Sequence, residues 1–369
     1  MKVSVARRNL FSDRTRLAIS VGGVAVAILL ILILLGVYKG LIDVSTSYVD
    51  NVDADLWVAQ AGSRSMTHSL SLISPSLEDE LMTVDGVSEI HPLVIRPTTV
   101  EINGKENDLR VAGYHPETGL GGPWNIVEGR GDPGPGEIVA DRVLVDTSGL
   151  RLGDDIEIEG RPLRLVGVSR DTYVLIYSYA FADIGEIRDS LGPDRVNYFI
   201  IKAADSGRLH QIVAEITAGY PGLEIFTKAE FAEINARDIR EGFLPILGVL
   251  VVIAVFVGMA IVGLVVYSAT VERTREYGIL KAVGASGRTL YGIVFQQSVL
   301  SGLMGYGTGA LLAFAVAALL ETLVPQLTIS FSWTHFAGAL AAALTMSLFA
   351  SYIPIRKING IDPVIVFKS

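Results

Sequence analysis

Four long apolar segments constrain this chain more than any other feature, because none has Asp, Glu, Lys or Arg in its body. A helix needs roughly 20 apolar residues to cross the hydrocarbon core of a bilayer, and each segment is that long. The hydrophobic fraction of 50% and the mean hydropathy of +0.46 fit a membrane protein. The predicted membrane spans are residues 17–40, 243–270, 290–320 and 333–355. Spans without charges argue against a proton relay or an ion path.

Charge is segregated along the chain, which predicts its topology. Residues 41–242 contain 34 acidic and 17 basic residues, whereas the rest of the chain contains 5 acidic and 13 basic residues. Basic residues beside membrane helices mark the cytoplasmic side. They cluster at the N-terminus, in the loop after the second span and at the C-terminus, at Lys2, Arg7, Arg8, Arg14, Arg16, Arg273, Arg275, Lys281, Arg288, Arg356, Lys357 and Lys368. Four crossings place all three clusters on one side, so both termini are predicted to be cytoplasmic.

This topology divides the chain into further predicted pieces. Residues 1–16 form a cytoplasmic amphipathic helix, residues 271–289 a cytoplasmic loop, residues 321–332 a short external loop and residues 356–369 a cytoplasmic tail. The first span is predicted to be retained, because its apolar stretch exceeds the 7–15 residues of a signal-peptide core and no small-residue cleavage site follows it. The chain has no Cys and therefore no disulfide framework.

The region 41–242 carries the signals of a folded domain outside the membrane. Runs rich in β-branched residues predict strands, and acid-rich or amphipathic stretches predict helices. The predicted strands are Asp55–Ala59, Val87–Val100, Leu109–Gly113, Asp155–Glu159, Leu163–Val168 and Asn197–Lys202, and the predicted helices are Ser76–Met82, Ala182–Leu191, Ser206–Ala218 and Lys228–Glu241. The fold class is therefore a membrane protein with four transmembrane α-helices and a large mixed α+β extracytoplasmic domain between helices 1 and 2. Whether that domain is divided into two subdomains stays open.

The polar helix predicted for Lys228–Glu241 leads directly to the second span. Only Gly242 and Pro245 interrupt the pattern before the apolar run. A proline inside a helix bends it more readily than it ends it when packing supports both sides. We therefore expect one helix that continues into the membrane and connects the outer domain to the span. The alternative is a short loop at Gly242.

Residue patterns that would indicate catalysis or metal binding do not occur in this sequence. It has no G-x-x-x-x-G-K-[ST] phosphate loop, no H-E-x-x-H and no G-x-S-x-G. The five histidines are scattered singly, and paired acids such as Asp154 and Asp155 are typical of turns. We predict a chain without an enzymatic site, a metal, a cofactor of its own or a nucleic-acid partner.

The loop after the second span is predicted to contain a short amphipathic helix. Charged residues dominate its first half, and Tyr277, Leu280 and Val283 follow one another at three-residue steps on one helical face. Gly284 and Ser286 allow a turn before the third span. Physical reasoning alone leaves two interpretations open: a helix that docks on a partner, or an inert positive loop that sets topology.

This loop resembles the coupling-helix motif of FtsX-like and MacB-type ABC transporter permeases. The matching residues are Glu272, Arg273, Arg275, Glu276, Gly278, Leu280, Lys281, Ala282, Gly284 and Ala285. Tyr277 departs from the motif, in which an aliphatic residue is usual. The stretches Ala6–Arg16 and Pro354–Pro363 are similar to the basic start and the proline-containing end of the same family, although Ile358 replaces the usual small residue.

The resemblance implies a permease subunit of the mechanotransmission (type VII) class. A cytoplasmic ABC ATPase, which binds ATP and Mg, would hold the coupling helix through Glu272, Arg273, Arg275, Glu276, Tyr277, Gly278, Leu280, Lys281, Ala282 and Gly284. Further implied partners are a second permease copy in a homodimer, the lipid bilayer of the bacterial cell membrane and an extracytoplasmic adaptor or enzyme. The cargo would be a lipid, lipoprotein, peptide or drug-like molecule. The alternative is a membrane-anchored regulator that recruits or activates an extracytoplasmic partner such as a cell-wall hydrolase.

Overall fold

The computed structural model describes residues 13–63, 65–66, 71–174, 177–187, 195–272, 274–283, 286–324 and 327–359, and within these the side chains of residues 277, 280, 282 and 353–359 are left out of the description. The chain divides into two compact units. A helical unit is built on the described residues up to Gly40, on Phe243–Val324 and on the described residues from Ile329 onward. A sheet unit is built on Leu41–Gly242 together with Leu327 and Thr328.

In the part of the chain that the structure describes, four helices are long and apolar enough to cross a membrane, and they lie where the charge-free segments predict them. They are α1 (Arg14–Asn51), α6 (Lys228–Glu272), α8 (Gly287–Leu323) and α9 (Trp333–Asn359). Each helix extends beyond its predicted span at one end or both. Residues 1–12 of the predicted N-terminal helix lie outside the described residues, and Arg14–Arg16 belong to α1 itself.

Small residues on α8 allow the helices of the helical unit to pack closely. A Cβ atom at Gly305 would lie 2.5 Å from Cβ of Val24, and one at Gly309 would lie 2.6 Å from the Ala25 carbonyl oxygen. Both positions are buried against α1. Glycine therefore permits a backbone approach that any larger residue would prevent, as is common between membrane helices.

Among its described residues, the sheet unit contains one mixed sheet of eleven strands. They are β1 (Leu56–Gln60), β2 (Val87–Ile102), β3 (Lys105–Tyr114), β4 (Ile126–Gly129), β5 (Glu137–Asp141), β6 (Asp155–Ile158), β7 (Arg161–Ser169), β8 (Tyr173–Val174), β9 (Tyr177–Asp183), β10 (Tyr198–Ala203) and β11 (Leu223–Thr227). The order is β11-β1-β10-β2-β3-β9-β5-β7-β4, with β6 paired to β7 and β8 paired to β9. The pairs β3–β9 and β5–β7 are parallel and the other pairs are antiparallel.

Two hairpins are set by their turn residues. Asn103 and Gly104 connect β2 to β3 with φ of 52° and 75°, and Glu159 and Gly160 connect β6 to β7 with φ of 52° and 83°. Two successive residues with positive φ give the turn twist that matches paired antiparallel strands. The register Ile102 opposite Lys105 follows from the first of these turns.

Each face of the sheet is covered by different elements. One face packs against the short helices α2 (Leu77–Met82), α3 (Arg142–Ser148), α4 (Ile184–Ile187) and α5 (Leu209–Gly219) through a largely aliphatic core. The other face carries an aromatic core that includes Tyr48 and Val49 of α1 and Phe231 of α6. The ends of two long helices therefore form part of the core of the sheet unit.

Several predicted elements differ from the structure. The predicted helix Ala182–Leu191 is wrong at its start, because Ala182 and Asp183 belong to β9, where a buried parallel pairing with β3 overrides helix propensity. Only Ile184–Ile187 of that stretch is helical among the described residues. The alternative of a loop at Gly242 is also wrong, since α6 is continuous and contains Pro245 in its interior.

Candidate functional site

A short helix, α7 (Thr274–Ala282), occupies the loop between α6 and α8. The Thr274 hydroxyl donates to the Val271 carbonyl at 2.6 Å and so satisfies an orphan acceptor in the last turn of α6. On the other side, Ser286 adopts an extended conformation and its hydroxyl accepts the Thr289 N–H at 3.3 Å, which caps α8. One of these hydrogen bonds therefore closes the C-terminal turn of α6, and the other caps the N-terminus of α8, on either side of α7.

One face of α7 presents apolar and charged groups together. Arg275, Ile279 and Val283 follow one another at four-residue steps, which places them on one side of a helix. Ile279 is 44% exposed and Val283 is 83% exposed, and Arg275 and Glu276 are exposed beside them. The Val283 N–H donates to the Ile279 carbonyl at 3.0 Å, so helical geometry continues to Val283. Burying these aliphatic groups against a partner would be favourable.

The residues predicted to bind an ATPase lie at different depths around this helix. Glu272 ends α6 and is 57% exposed, Arg275 and Glu276 are exposed, Lys281 is half-buried in the last turn, and Gly278 is buried. Tyr277, Leu280 and Ala282 belong to α7, but their side chains lie outside the description, as do Arg273 and Gly284 entirely. The role of these residues stays a prediction.

Two features near α7 escaped sequence reasoning. Ile279 was not singled out, although its four-residue spacing from Arg275 and Val283 contains the signal. Arg16 of α1 forms an ion pair with Glu272 at the end of α6. These two residues are 256 positions apart, and no pattern within one sequence relates them.

A second group of residues attaches α1 to the sheet. The ring of Tyr48 stacks on Tyr179 with centroids 4.9 Å apart and meets Trp57 edge-on at 6.2 Å. Its hydroxyl donates to the Gly121 carbonyl at 2.7 Å. Tyr48 is 1% exposed: its ring packs against other aromatic rings, and its hydroxyl has a hydrogen-bond partner.

The same tryptophan attaches α6. Phe231 stacks on Trp57 with centroids 5.0 Å apart and contacts Tyr198 at 5.6 Å. Trp57 therefore touches an aromatic ring from each of the two long helices. Trp57 and Phe231 are both fully buried, and burial of rings of this size dominates local packing energy.

Hydrogen bonds add to the aromatic attachment of α6. The Lys228 ammonium group, at the first residue of α6, donates to the Val52 carbonyl beyond the end of α1 at 2.9 Å. The buried Asn235 accepts the Met66 N–H at 3.1 Å, and the Met66 carbonyl accepts from Arg110 of β3 at 3.1 Å. These bonds link the beginning of α6 to the end of α1 and to the centre of the sheet.

In this region the buried tyrosines are neutral, and the charged side chains have partners. Burial raises the pKa values of Tyr179 and Tyr198, so their hydroxyls stay protonated at any physiological pH. Arg110 lies with its guanidinium carbon 4.1 Å from the centre of the Tyr177 ring, a cation–π contact that partly offsets its burial. At the rim, the Lys202 ammonium bonds Asp53 at 2.7 Å and lowers the pKa of that carboxyl.

Within the described part of the chain, no group of three or more His, Asp or Glu residues could hold a metal ion. The geometry instead offers surfaces: an exposed helical face on α7 and two long helices anchored in one aromatic core.

Comparison with known families matches nearly the whole chain. Residues 17–218 match the MacB-like periplasmic core domain, and residues 248–363 match the FtsX-like permease C-terminal domain. An uncharacterized ABC transporter permease of Mycobacterium tuberculosis is 24% identical over 363 residues, which cover 98% of each chain. The pyoverdine export ATP-binding/permease protein PvdT of Pseudomonas fluorescens is 25% identical over 100% of this chain and 59% of its own length.

Solved structures of outer domains are also similar to part of the chain. The periplasmic region of MacB from Actinobacillus actinomycetemcomitans covers 50% of this chain and 94% of its own at 14% identity, with a TM-score of 0.39. The extracellular domain of the transporter YknZ from Gram-positive bacteria covers 47% of this chain and 100% of its own at 11% identity, with a TM-score of 0.37.

Proposed function

Because the chain belongs to the FtsX-like, MacB-type family of ABC transporter permeases, we propose that it couples ATP hydrolysis by a separate ATPase to movement of its sheet unit. The observation that carries the proposal is the exposed face of α7, where Ile279 and Val283 share one side of the helix with Arg275 within the stretch that resembles the family's coupling motif. Such a face suits a groove on a cytoplasmic ATPase, which would bind the ATP and Mg. The permease itself takes a non-catalytic part.

The long helices supply a route for the motion. α7 begins at Thr274, soon after α6 ends at Glu272, and α6 extends back to Lys228, close to Phe231 of the aromatic core. Because α6 is one continuous helix of 45 residues, we expect a displacement of its C-terminal end to be carried along its backbone. A shift imposed on α7 by the ATPase would therefore reach the sheet through α6 and, by way of Trp57, α1.

The remaining parts of the proposal follow the family. Two permease copies would form a homodimer in the bacterial cell membrane, with both termini cytoplasmic and the sheet unit outside. The spans contain no internal charges, which favours moving a lipid, lipoprotein, peptide or drug-like cargo outside the membrane over conducting an ion. Export of such a molecule is the activity we propose.

The test is co-purification of the tagged full-length chain in mild detergent, with mass spectrometry of what remains bound. We expect an ABC ATPase in a 1:1 ratio with the permease. Ile279→Glu places a charge in the proposed contact and should reduce the retained ATPase at least about tenfold, because an unpaired charge buried at an interface is costly. Leu152→Glu is the matched control, since Leu152 is 39% exposed in the sheet unit and should leave the ratio unchanged.

Other outcomes separate the alternatives. Retention of the ATPase by Ile279→Glu at the wild-type level would show that α7 is not the contact. A wild-type chain that retains no ATPase, even with nucleotide and crosslinker, would contradict the coupling function. A stoichiometric extracytoplasmic hydrolase in that same preparation would establish the membrane-anchored regulator in its place.

A further inference from the structure

Two distant parts of the chain meet in an ion pair at the edge of the helical unit. Arg16, in the first turn of α1, pairs with Glu272, the last residue of α6. Asp13 lies on the other side of the same guanidinium, with its Oδ2 3.1 Å from Arg16 Nε, and its Oδ1 accepts the Arg16 N–H at 3.1 Å. The three side chains form a row of alternating charge, Asp13–Arg16–Glu272.

The row matches the electrostatics of both helix ends. A carboxylate at a helix C-terminus is unfavourable, because the helix dipole is negative there. Glu272 occupies that position on α6, whose last turn contains no basic residue. Arg16 brings the missing positive charge from another helix. In the same way, α1 has no acidic residue in its first turn, and Asp13 supplies one immediately before it.

The ion pair also lies at the junction where α7 begins. A single residue, Arg273, separates Glu272 from Thr274, and the Thr274 hydroxyl bonds back to the last turn of α6. The direction in which α7 starts therefore depends on the end of α6, and the ion pair fastens that end to α1. The Glu272 carboxylate faces Arg16 while Arg275 and Glu276 remain exposed for a partner.

We propose that Arg16 and Glu272 are positioning residues that hold α7 in the orientation from which it transmits force between the ATPase and α1. This inference rests on the proposed function and adds to it a division of roles. Arg275, Glu276, Ile279 and Val283 contact the ATPase. Arg16 and Glu272 act through α7 and connect the ATPase movement to α1 as well as to α6.

The experiment uses the full-length permease in nanodiscs with its co-purified ATPase, and it measures two quantities: the affinity for the ATPase and the permease-dependent increase in ATPase rate. Arg16→Gln should leave the affinity unchanged, and Arg16→Gln and Glu272→Gln should each lower the rate increase about two- to fivefold, within the range that an exposed ion pair supplies. The exchange Arg16→Glu with Glu272→Arg, made together with Asp13→Asn so that no two carboxylates face each other, should restore at least half of the increase. Arg16→Lys, which keeps the charge, should lose less than Arg16→Gln.

Arg14→Gln is the matched control. Arg14 is exposed two residues from Arg16 and forms no ion pair among the described residues, so its loss should change neither quantity. Single variants that stimulate the ATPase like the wild type, or an exchanged pair that performs no better than the single variants, would overturn the positioning role. A wild-type chain that binds no ATPase would instead contradict the proposed function, and it would do so before any variant is made.

Discussion

At the scale of single residues, Asp141 is the most informative buried charge. It ends β5, is fully buried, and accepts hydrogen bonds from the Val143 N–H at 2.8 Å, the Thr172 N–H at 3.0 Å and the Thr172 hydroxyl at 2.6 Å. Burial is the largest influence on the carboxyl and raises its pKa, although the hydrogen bonds oppose this. The Asp141 side chain therefore connects the start of α3 to Thr172, and the loss of water around its carboxylate makes the charged form unfavourable.

The raised pKa gives a prediction with a definite sign. The folded state binds the Asp141 carboxyl proton more tightly than the unfolded chain does. The contribution of protonated Asp141 to the free energy of unfolding is therefore fully present below the unfolded-state pKa of about 3.9, and it is lost as pH rises through the folded-state pKa. Asp141→Asn stays neutral, so its stability should change less between about pH 4 and 7. It should also be less stable at low pH by about 1–3 kcal/mol, because an amide nitrogen replaces one acceptor.

Thermal unfolding of the detergent-purified chain, followed by tryptophan fluorescence over that pH range, makes the comparison. Asp79→Asn serves as the control, since Asp79 is exposed on α2 and should keep the wild-type pH dependence. A steeper pH dependence in Asp141→Asn than in the wild type would contradict the assigned direction of the pKa.

At the scale of elements, the contact between α1 and α8 depends on glycine. A Cβ atom at Gly305 would lie 2.5 Å from Cβ of Val24 and 3.0 Å from the Val21 carbonyl oxygen. Gly305→Ala should therefore force the two helices apart and lower the free energy of unfolding by about 1–3 kcal/mol. Gly307, two residues along α8, has no atom within 4 Å of a Cβ, and Gly307→Ala should leave stability unchanged or raise it.

The measurement is the midpoint of thermal aggregation of the full-length chain in detergent. Equal midpoints for the two alanine variants would show that α1 and α8 tolerate the added carbon, and the glycine contact would then carry no stability.

The elements also show what sequence reasoning can and cannot reach. A helix that crosses a bilayer must be long and largely free of charged residues, so α1, α6, α8 and α9 are predictable from composition alone. Runs rich in β-branched residues similarly indicate β2 and most of the buried part of β3. In contrast, β9 (Tyr177–Asp183) is almost wholly buried between two strands and lacks alternation, so its last two residues fall within a stretch predicted to be helical.

The candidate site divides in the same way. The motif around α7 is contiguous, so its helix was predicted, and its structure confirms a helix at Thr274–Ala282. The attachment of Tyr48 and Phe231 to Trp57 joins residues from distant parts of the chain, as does the pair Arg16–Glu272. Such contacts form only when the strands and helices have assembled, and the local sequence pattern around each residue does not indicate them.

At the scale of the whole molecule, the charge distribution predicts which parts face which side of the membrane. The chain has no Cys, so single cysteine substitutions can be labelled without background. Glu106→Cys, at an exposed site of β3, should react with an impermeant maleimide in intact cells. Thr15→Cys, exposed near the start of α1, should react only after permeabilisation.

Lysed cells provide the control, because both variants should label fully there. Labelling of Thr15→Cys in intact cells at the rate of Glu106→Cys would contradict the proposed topology. It would also remove α7 from the side of the membrane that holds ATP.

The bond between Lys228 and the Val52 carbonyl has a mechanical consequence. It fastens the beginning of α6 to the residue after α1, and within the helical unit a Cβ at Gly23 of α1 would lie 2.3 Å from Ile261 of α6. The two helices are therefore held together within each unit, once by a hydrogen bond and once by a close approach of their backbones. We expect α1 and α6 to move as a pair, because displacing one of them alone would break these contacts.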